Sequence, residues 1–261
     1  MAVFLSGLRH LYLIFYNWIV FFGWFQVFYF GVKTLKESGY EYVYDAVEKP
    51  LLFAQTAAFF EILHSLAGLV RSPISSTLPQ ISSRLYVTWG ILWSFPEVSI
   101  FLADHIILVS SLVISWSITE IIRYSFFGTR EAFGSAPSWL LWLRYSTFLL
   151  LYPIGITSEV GLIYNALPYM KEYGKYSIRM PNKWNFSFDY YYAAFVCLAI
   201  YLPGKNHNII LLLKIIIRIA GAMIDEDDVC ENAGFSHLYS YMLGQRKKAL
   251  SEPKKHRTQA D

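Results

Sequence analysis

Six stretches of this chain are apolar for about the 20 residues that a bilayer-crossing helix needs. They run roughly over 11–32, 50–70, 85–103, 105–122, 139–164 and 186–204. A bilayer core offers no water to an unpaired backbone, so such segments must fold as helices packed side by side. The expected fold is all-α, a polytopic bundle of six transmembrane helices forming one domain over 1–245. Charged residues make up 16% of the chain, well below the usual soluble share of about 25%. The third and fourth stretches are nearly continuous, broken at Pro96-Glu97 and Asp104-His105, a pattern that suits a tight hairpin. Tryptophan and tyrosine gather at the segment edges, as in interfacial belts (Trp18, Trp89, Trp139, Trp184, Tyr190). The first stretch follows Arg9 and is too long and aromatic for the apolar core of a cleaved signal, so it reads as a span.

Loop charges set an expected orientation. With the N-terminus in the cytosol, that side holds Arg9, Arg71, Arg84, Arg123, Arg130, Arg144 and the basic run Arg246-Lys247-Lys248. The opposite side holds fewer cations, chiefly Lys33, Lys36, Lys49 and the four between Lys171 and Lys183. The bias favours both termini in the cytosol. Segment 208–224 is apolar but carries Lys214 and Arg218 four residues apart, on one helix face. It reads as an amphipathic helix lying on the membrane rather than a seventh span. The tail 246–261 is polar and basic and is expected to be disordered on the cytosolic side. Cys197 and Cys230 fit neither a disulfide framework nor a metal spacing.

Within these apolar segments stand polar groups that lipid would reject. Leu151-Tyr152-Pro153-Ile154-Gly155-Ile156-Thr157-Ser158-Glu159 places a carboxylate and a phenol in the fifth span. Inserting an acid at mid-helix costs about 2.5–3.5 kcal/mol, so an intramembrane glutamate marks a functional site or a buried partner. Tyr152 and Glu159 are seven residues apart, which returns them to the same helix face about 10.5 Å apart along the axis. Pro153 removes a backbone N–H beside Tyr152, and Gly155 permits close approach of a neighbouring helix.

Asn17, Gln26, Gln55, Glu61, His64, Glu97, Glu120, Arg123, Tyr124, Arg144 and Tyr145 also require one another or a wet cavity. Glu120 and Arg123, three apart, form either an interfacial ion pair or part of a substrate site. Glu61 and His64, also three apart, read more plainly as a satisfied hydrogen-bond pair than as a proton relay. Two such side chains make no metal site without further ligands, and neither metal nor organic cofactor is expected.

The motifs carry a resemblance. Tyr16-Asn17, Gly23-Trp24, Gln55, Glu61-Ile62-Leu63-His64, Gly68-Leu69-Val70-Arg71-Ser72-Pro73, Gln80-Ile81-Ser82-Ser83-Arg84, Trp116 through Tyr124, Arg144-Tyr145, Leu151 through Glu159, Tyr241-Met242-Leu243 and Gln245-Arg246-Lys247-Lys248 span almost the whole chain. Together they resemble the endoplasmic-reticulum 3-hydroxyacyl-CoA dehydratases of very-long-chain fatty-acid elongation, also called protein tyrosine phosphatase-like proteins, with the plant members nearest. The resemblance implies conversion of (3R)-3-hydroxyacyl-CoA to trans-2-enoyl-CoA and water, supplying lipid and sphingolipid synthesis. The other elongase subunits are the implied partners: the condensing enzyme and the ketoacyl and enoyl reductases. It also implies that Tyr152 and Glu159 carry the chemistry. Dehydration needs a base for the α-proton and an acid for the leaving hydroxyl. Glutamate as base and tyrosine as donor is the favoured assignment, and the reverse stays open.

The expected orientation adds a substrate argument. It gathers Arg71, Arg84, Arg123, Arg130 and Arg144 at one membrane face, and arginine suits the phosphates of CoA. Arg84, Arg123, Arg144, Tyr145 and Gly155 are therefore the expected substrate contacts, with Glu61, His64, Gln80 and Glu120 as supporting polar groups. The alternative is an inactive phosphatase-like membrane scaffold that binds phosphoproteins. Cys197 and Pro203 are six apart, as the cysteine and arginine of a phosphatase loop would be, but proline cannot clamp phosphate. A transporter would show repeated halves or paired broken helices, and the sequence shows neither.

One segment departs from the pattern. Tyr201-Leu202-Pro203-Gly204 would join smoothly to Phe235-Ser236-His237-Leu238-Tyr239. Residues 205–234 intervene, bounded by Gly-Lys and Ala-Gly pairs that splice signals can encode. They read as a retained in-frame intron or a gene-model error.

Overall fold

The computed structural model describes residues 2–70, 74–96, 103–183, 186–201, 243–244 and 246–247. Over these the chain is helical, with one isolated antiparallel bridge between Ile178 and Phe188. Helix α1 spans Ala2–Glu37, and a 3-10 turn at Tyr40–Tyr42 leads into α2, Val43–Leu66. Helix α3, Ile74–Leu85, opens directly into a π-helix at Tyr86–Trp93. Then come α4 (Ala103–Phe133), α5 (Ser138–Ser146), α6 (Phe148–Tyr173) and α7 (Tyr190–Tyr201).

Three helical stretches are long and apolar enough to cross a membrane: Ser6–Glu37, Ile107–Phe133 and Ser138–Tyr173. This is a multi-pass membrane protein. The expected spans 11–32 and 139–164 fall inside them, and 105–122 overlaps the second from Ile107 onward, with ends extended by up to about three turns. The expected span 50–70 falls on α2, which begins at Val43 and ends at Leu66. Its Asp45, Glu48, Lys49, Glu61 and His64 keep its composition less apolar. The expected span 85–103 corresponds to the π-helix and the residues after it, and Glu97 lies outside the described residues. The expected span 186–204 is helical from Tyr190 to Tyr201, with a shorter apolar stretch at Tyr190–Ala199. The amphipathic helix expected at 208–224, the insert 205–234 and nearly all of the tail also lie outside the described residues.

Periodicity explains which faces pack. On α1, Leu13, Asn17, Val20, Trp24 and Val27 are buried, while Leu11, Phe15, Ile19, Phe22 and Phe25 are exposed. The alternating three- and four-residue steps put each set on one face, and the exposed apolar face suits lipid. Gln26, expected to need a partner, is on the exposed side.

The bundle is divided along its length. One half is solid: Trp24, Leu51, Ile91, Leu92, Phe95, Leu112, Leu162 and Ile163 are almost fully buried in a single cluster. The other half encloses a cavity. Along α1 and α6 the cavity half comes first in sequence, and along α2 and α4 it comes second. The α3–π segment, with its cavity residues first (Gln80, Arg84) and its core residues second (Ile91, Phe95), runs between α2 and α4 in sequence, so successive long helical segments alternate in direction, as short connections require.

Helices α4 and α6 meet through small residues, which let backbones approach where lipid supplies no hydrophobic drive. Ser111 and Ser158 share a hydrogen bond of 2.7 Å. The tightest point is Gly161, where a Cβ would lie 2.7 Å from Leu108 Cδ1. At Gly155 a Cβ would lie 3.7 Å from Ser115 Oγ, an ordinary contact. The close approach expected at Gly155 is thus centred one and a half turns later.

Helices α5 and α6 run on almost without a break. Thr147 joins them with helical φ and ψ of −66° and −28°. The join lies six residues before Pro153, whose ring crowds the carbonyl four residues back. At the far end, the Tyr190 hydroxyl donates to the Gly90 carbonyl at 3.0 Å, fixing the start of α7 against the π-helix. A side chain at Gly90 would strike that hydroxyl.

Candidate active site

The cavity has a volume of about 350 Å³. Tyr152, Glu159, Arg84, Arg123, Arg144, Gly155, Glu61, His64, Gln80 and Glu120 all line it. They come from α2, α3, α4, α5 and α6, so the fold collects residues up to about a hundred positions apart. Tyr145 is the one expected site residue outside the lining. Its ring lies 5.9 Å from the Arg144 guanidinium carbon, so it acts beneath that arginine rather than in the cavity.

One wall is an ion network. Arg123 makes a two-pronged contact with Glu61, Nη1 to Oε2 at 2.7 Å and Nη2 to Oε1 at 2.8 Å. Its Nε donates to Glu120 Oε2 at 2.7 Å. Glu120, almost fully buried, also accepts from Arg84, and the Tyr124 hydroxyl donates to Glu61. Two arginines thus face two carboxylates, and the wall is balanced in charge. The sequence pairing of Glu120 with Arg123 is present, but Glu61 pairs with Arg123 rather than with His64. His64 instead shares a 2.8 Å hydrogen bond with Tyr12 and packs edge-on against Tyr16 at 4.6 Å. Among the described residues no group of three or more His, Cys, Asp or Glu is placed to hold a metal ion.

Arg144 differs from the other two arginines. Its guanidinium lies over the rings of Phe126 and Phe127, at 4.7 and 4.4 Å. Its Nε and Nη1 are buried with no hydrogen-bond partner. Among the described residues no carboxylate pairs with it. Gln55 Nε2 is likewise buried without a partner in the same cavity.

Deeper along α6 stand Tyr152 and Glu159, one face and about two turns apart. Tyr152 is half-buried, its ring edge-on to Phe148 at 6.1 Å. Glu159 is buried, and both its oxygens are held: Oε1 accepts from Trp116 Nε1 at 3.0 Å, and Oε2 accepts from the Tyr201 hydroxyl at 2.7 Å. The Trp116 ring in turn carries the Arg84 guanidinium 5.3 Å from its centre. The arrangement places an acceptor and a phenolic donor on one wall of a largely apolar cavity, with an unsatisfied cation nearer its polar end. Such a pair can remove one proton and deliver another.

Sequence reasoning gave Trp116 and Tyr201 no role. Trp116 stands one turn before Glu120 on α4 and shares its face, which is a usable signal. Tyr201 carries none, because its contact is made across helices.

The family described as protein tyrosine phosphatase-like protein, PTPLA, matches residues 55–216. The rice (Oryza sativa subsp. japonica) very-long-chain (3R)-3-hydroxyacyl-CoA dehydratase PASTICCINO 2A is 63% identical, over 95% of this chain and 97% of that protein. The Arabidopsis thaliana PASTICCINO 2 dehydratase is 61% identical, over 98% and 100%. The human (Homo sapiens) very-long-chain (3R)-3-hydroxyacyl-CoA dehydratase 2 is 36% identical, over 94% and 83%. No solved structure matches the chain.

Proposed function

The chain belongs to the protein tyrosine phosphatase-like family, and from that membership and the cavity we infer that it dehydrates very-long-chain (3R)-3-hydroxyacyl-CoA to trans-2-enoyl-CoA. It is a lyase of fatty-acid elongation. The scaffold alternative has no comparable support, since Cys197 sits half-buried in the apolar helix α7. The observation that carries the site assignment is the shared cavity wall of Tyr152 and Glu159.

In this reading Glu159 takes a proton from C2 of the substrate, which the thioester carbonyl acidifies. The C2–H electron pair becomes the C2–C3 double bond. The C3–O bond breaks, and the hydroxyl leaves as water with the Tyr152 proton. Passage of the proton from Glu159 back to the Tyr152 oxygen restores the enzyme. A volume of about 350 Å³ lies near the lower end for ligand sites, about 300–1,000 Å³. It suits the reacting end of the acyl chain, with the remainder continuing between apolar helix faces.

Arg144 is the phosphate contact this reading favours. Arg84 and Arg123 are already matched by Glu120 and Glu61, whereas Arg144 offers buried donors that lack a partner. Arg71 lies outside the described residues, and Arg130 is exposed. Removing one charged contact costs about 1.5–3 kcal/mol. Arg144→Gln is therefore expected to raise KM for the CoA thioester by about 10- to 100-fold. It should leave turnover of an N-acetylcysteamine thioester, which lacks the phosphates, unchanged. Equal effects on both substrates would remove Arg144 from the phosphate role, and failure of the unaltered protein to form enoyl-CoA would overturn the function itself.

We place the protein in the endoplasmic reticulum with both termini cytosolic, and with α2, the α3–π segment and α7 completing six spans. The cation distribution supports this topology, as does the polar cavity lying toward the N-terminal end of α1. Elongase subunits that reduce ketoacyl-CoA and enoyl-CoA fit as partners, because they supply this substrate and consume this product. We also propose that 205–234 is a retained intron or a gene-model error. Transcript reads should mostly lack it, and joining Gly204 to Phe235 should leave turnover unchanged; loss of activity would make the segment part of the enzyme.

A further inference from the structure

We propose that Tyr201, together with Trp116, is a positioning residue that holds the Glu159 carboxylate in the orientation needed to take the C2 proton. The inference rests on the dehydratase reading and extends it to a residue on a third helix.

Three observations carry it. First, each carboxylate oxygen has its own donor: Trp116 Nε1 at 3.0 Å on Oε1 and the Tyr201 hydroxyl at 2.7 Å on Oε2. An indole N–H can only donate, so Oε1 must accept. The two donors arrive from different helices, α4 and α7, and together oppose rotation of the carboxylate about its last torsion. Second, Tyr201 does not line the cavity, whereas Glu159 does. Tyr201 therefore grips the carboxylate from behind and leaves the remaining lone pairs turned toward the substrate space. Third, Tyr201 is itself buried, at the end of a helix whose beginning is fixed by the Tyr190 bond to Gly90. About 16 Å of helix separates the two tyrosines, so α7 works as a strut between the π-helix and the base.

A base misplaced by about 1 Å can lose about 100-fold in rate. Removal of the Tyr201 hydroxyl frees one oxygen of Glu159 without emptying the space its ring fills. The effect should fall on proton abstraction and not on substrate binding, because Tyr201 touches no part of the cavity.

The test uses the full chain, purified in membrane mimetic, with a long (3R)-3-hydroxyacyl-CoA and the same substrate carrying deuterium at C2. Tyr201→Phe should lower kcat by about 10- to 100-fold with KM held within about threefold. Its isotope effect should exceed that of the parent, as C–H cleavage becomes more rate-limiting. Unchanged kcat, or a fall in kcat with the parental isotope effect, overturns the proposal, since either is what a merely structural tyrosine gives. If Tyr201→Phe does not fold, Trp116→Phe decides by kcat and the isotope effect alone, since Trp116 lines the cavity and its replacement can also change KM. Glu159→Gln in parallel separates the two inferences. An inactive Glu159→Gln beside a normal Tyr201→Phe sinks the positioning role alone, and an active Glu159→Gln sinks the site.

Discussion

Tyr152→Phe and Glu159→Gln are each expected to lower kcat for 3-hydroxyacyl-CoA by about 10²- to 10⁴-fold, the usual worth of a positioned acid or base. KM should change little, because each substitution removes a proton-transfer group and keeps the shape of the cavity wall. The double variant should be no slower than the worse single one, since two groups acting in one elimination are not additive. The reason lies in their placement. Both side chains leave one face of α6 and enter one cavity, so a substrate held there meets acceptor and donor together. A fully additive double variant would show two independent roles and would contradict the paired mechanism. Rates of enoyl-CoA formation at saturating substrate check this directly.

The second large effect concerns stability. Glu120→Ala is expected to destabilise the folded bundle by about 3–5 kcal/mol, because removing one partner leaves a buried charge uncompensated. Glu120 has only 2% of its side chain accessible and serves both Arg84 and Arg123. With it gone, Arg84 has no carboxylate partner among the described residues, and Arg123 keeps Glu61 and a hydrogen bond to the Tyr124 hydroxyl. The contrast is the pair of His10 with Glu131 at 2.7 Å, where the histidine is largely accessible. Loss of such an outer pair costs about 0–1 kcal/mol. Thermal unfolding of the purified protein in one detergent should therefore separate Glu120→Ala from Glu131→Gln clearly. Equal midpoints would mean that the network is not what holds α2, α3 and α4 around the cavity.

Much of the site was legible in the sequence because a membrane makes polar residues conspicuous. Glu61, Glu120, Arg123 and Glu159 stand out against apolar neighbours, and helical spacing assigns Tyr152 and Glu159 to one face without any tertiary information. The pairing was less legible. Glu61 and His64 are neighbours on α2, yet Arg123 takes the glutamate across 62 residues of sequence and Tyr12 takes the histidine across 52. Helical spacing reports shared faces and is silent on which helix stands opposite. Tyr201 was missed for the same reason: at the edge of an apolar segment it is indistinguishable from a belt tyrosine. The π-helix was also hidden, since the run Tyr86–Trp93 is as apolar and aromatic as any ordinary helix here. The helical class was legible from segment length and apolarity, while the end positions drifted because helices α1, α4 and α6 continue well past their apolar cores.

The central claim is that this cavity is where 3-hydroxyacyl-CoA loses water through Glu159. Its most direct test is a single turnover, with purified parent or Glu159→Gln in excess over a long (3R)-3-hydroxyacyl-CoA and substrate binding measured alongside. The expected result is that both proteins bind the substrate alike while only the parent converts it to trans-2-enoyl-CoA on the parental time scale. Conversion by Glu159→Gln at the parental rate would contradict the account.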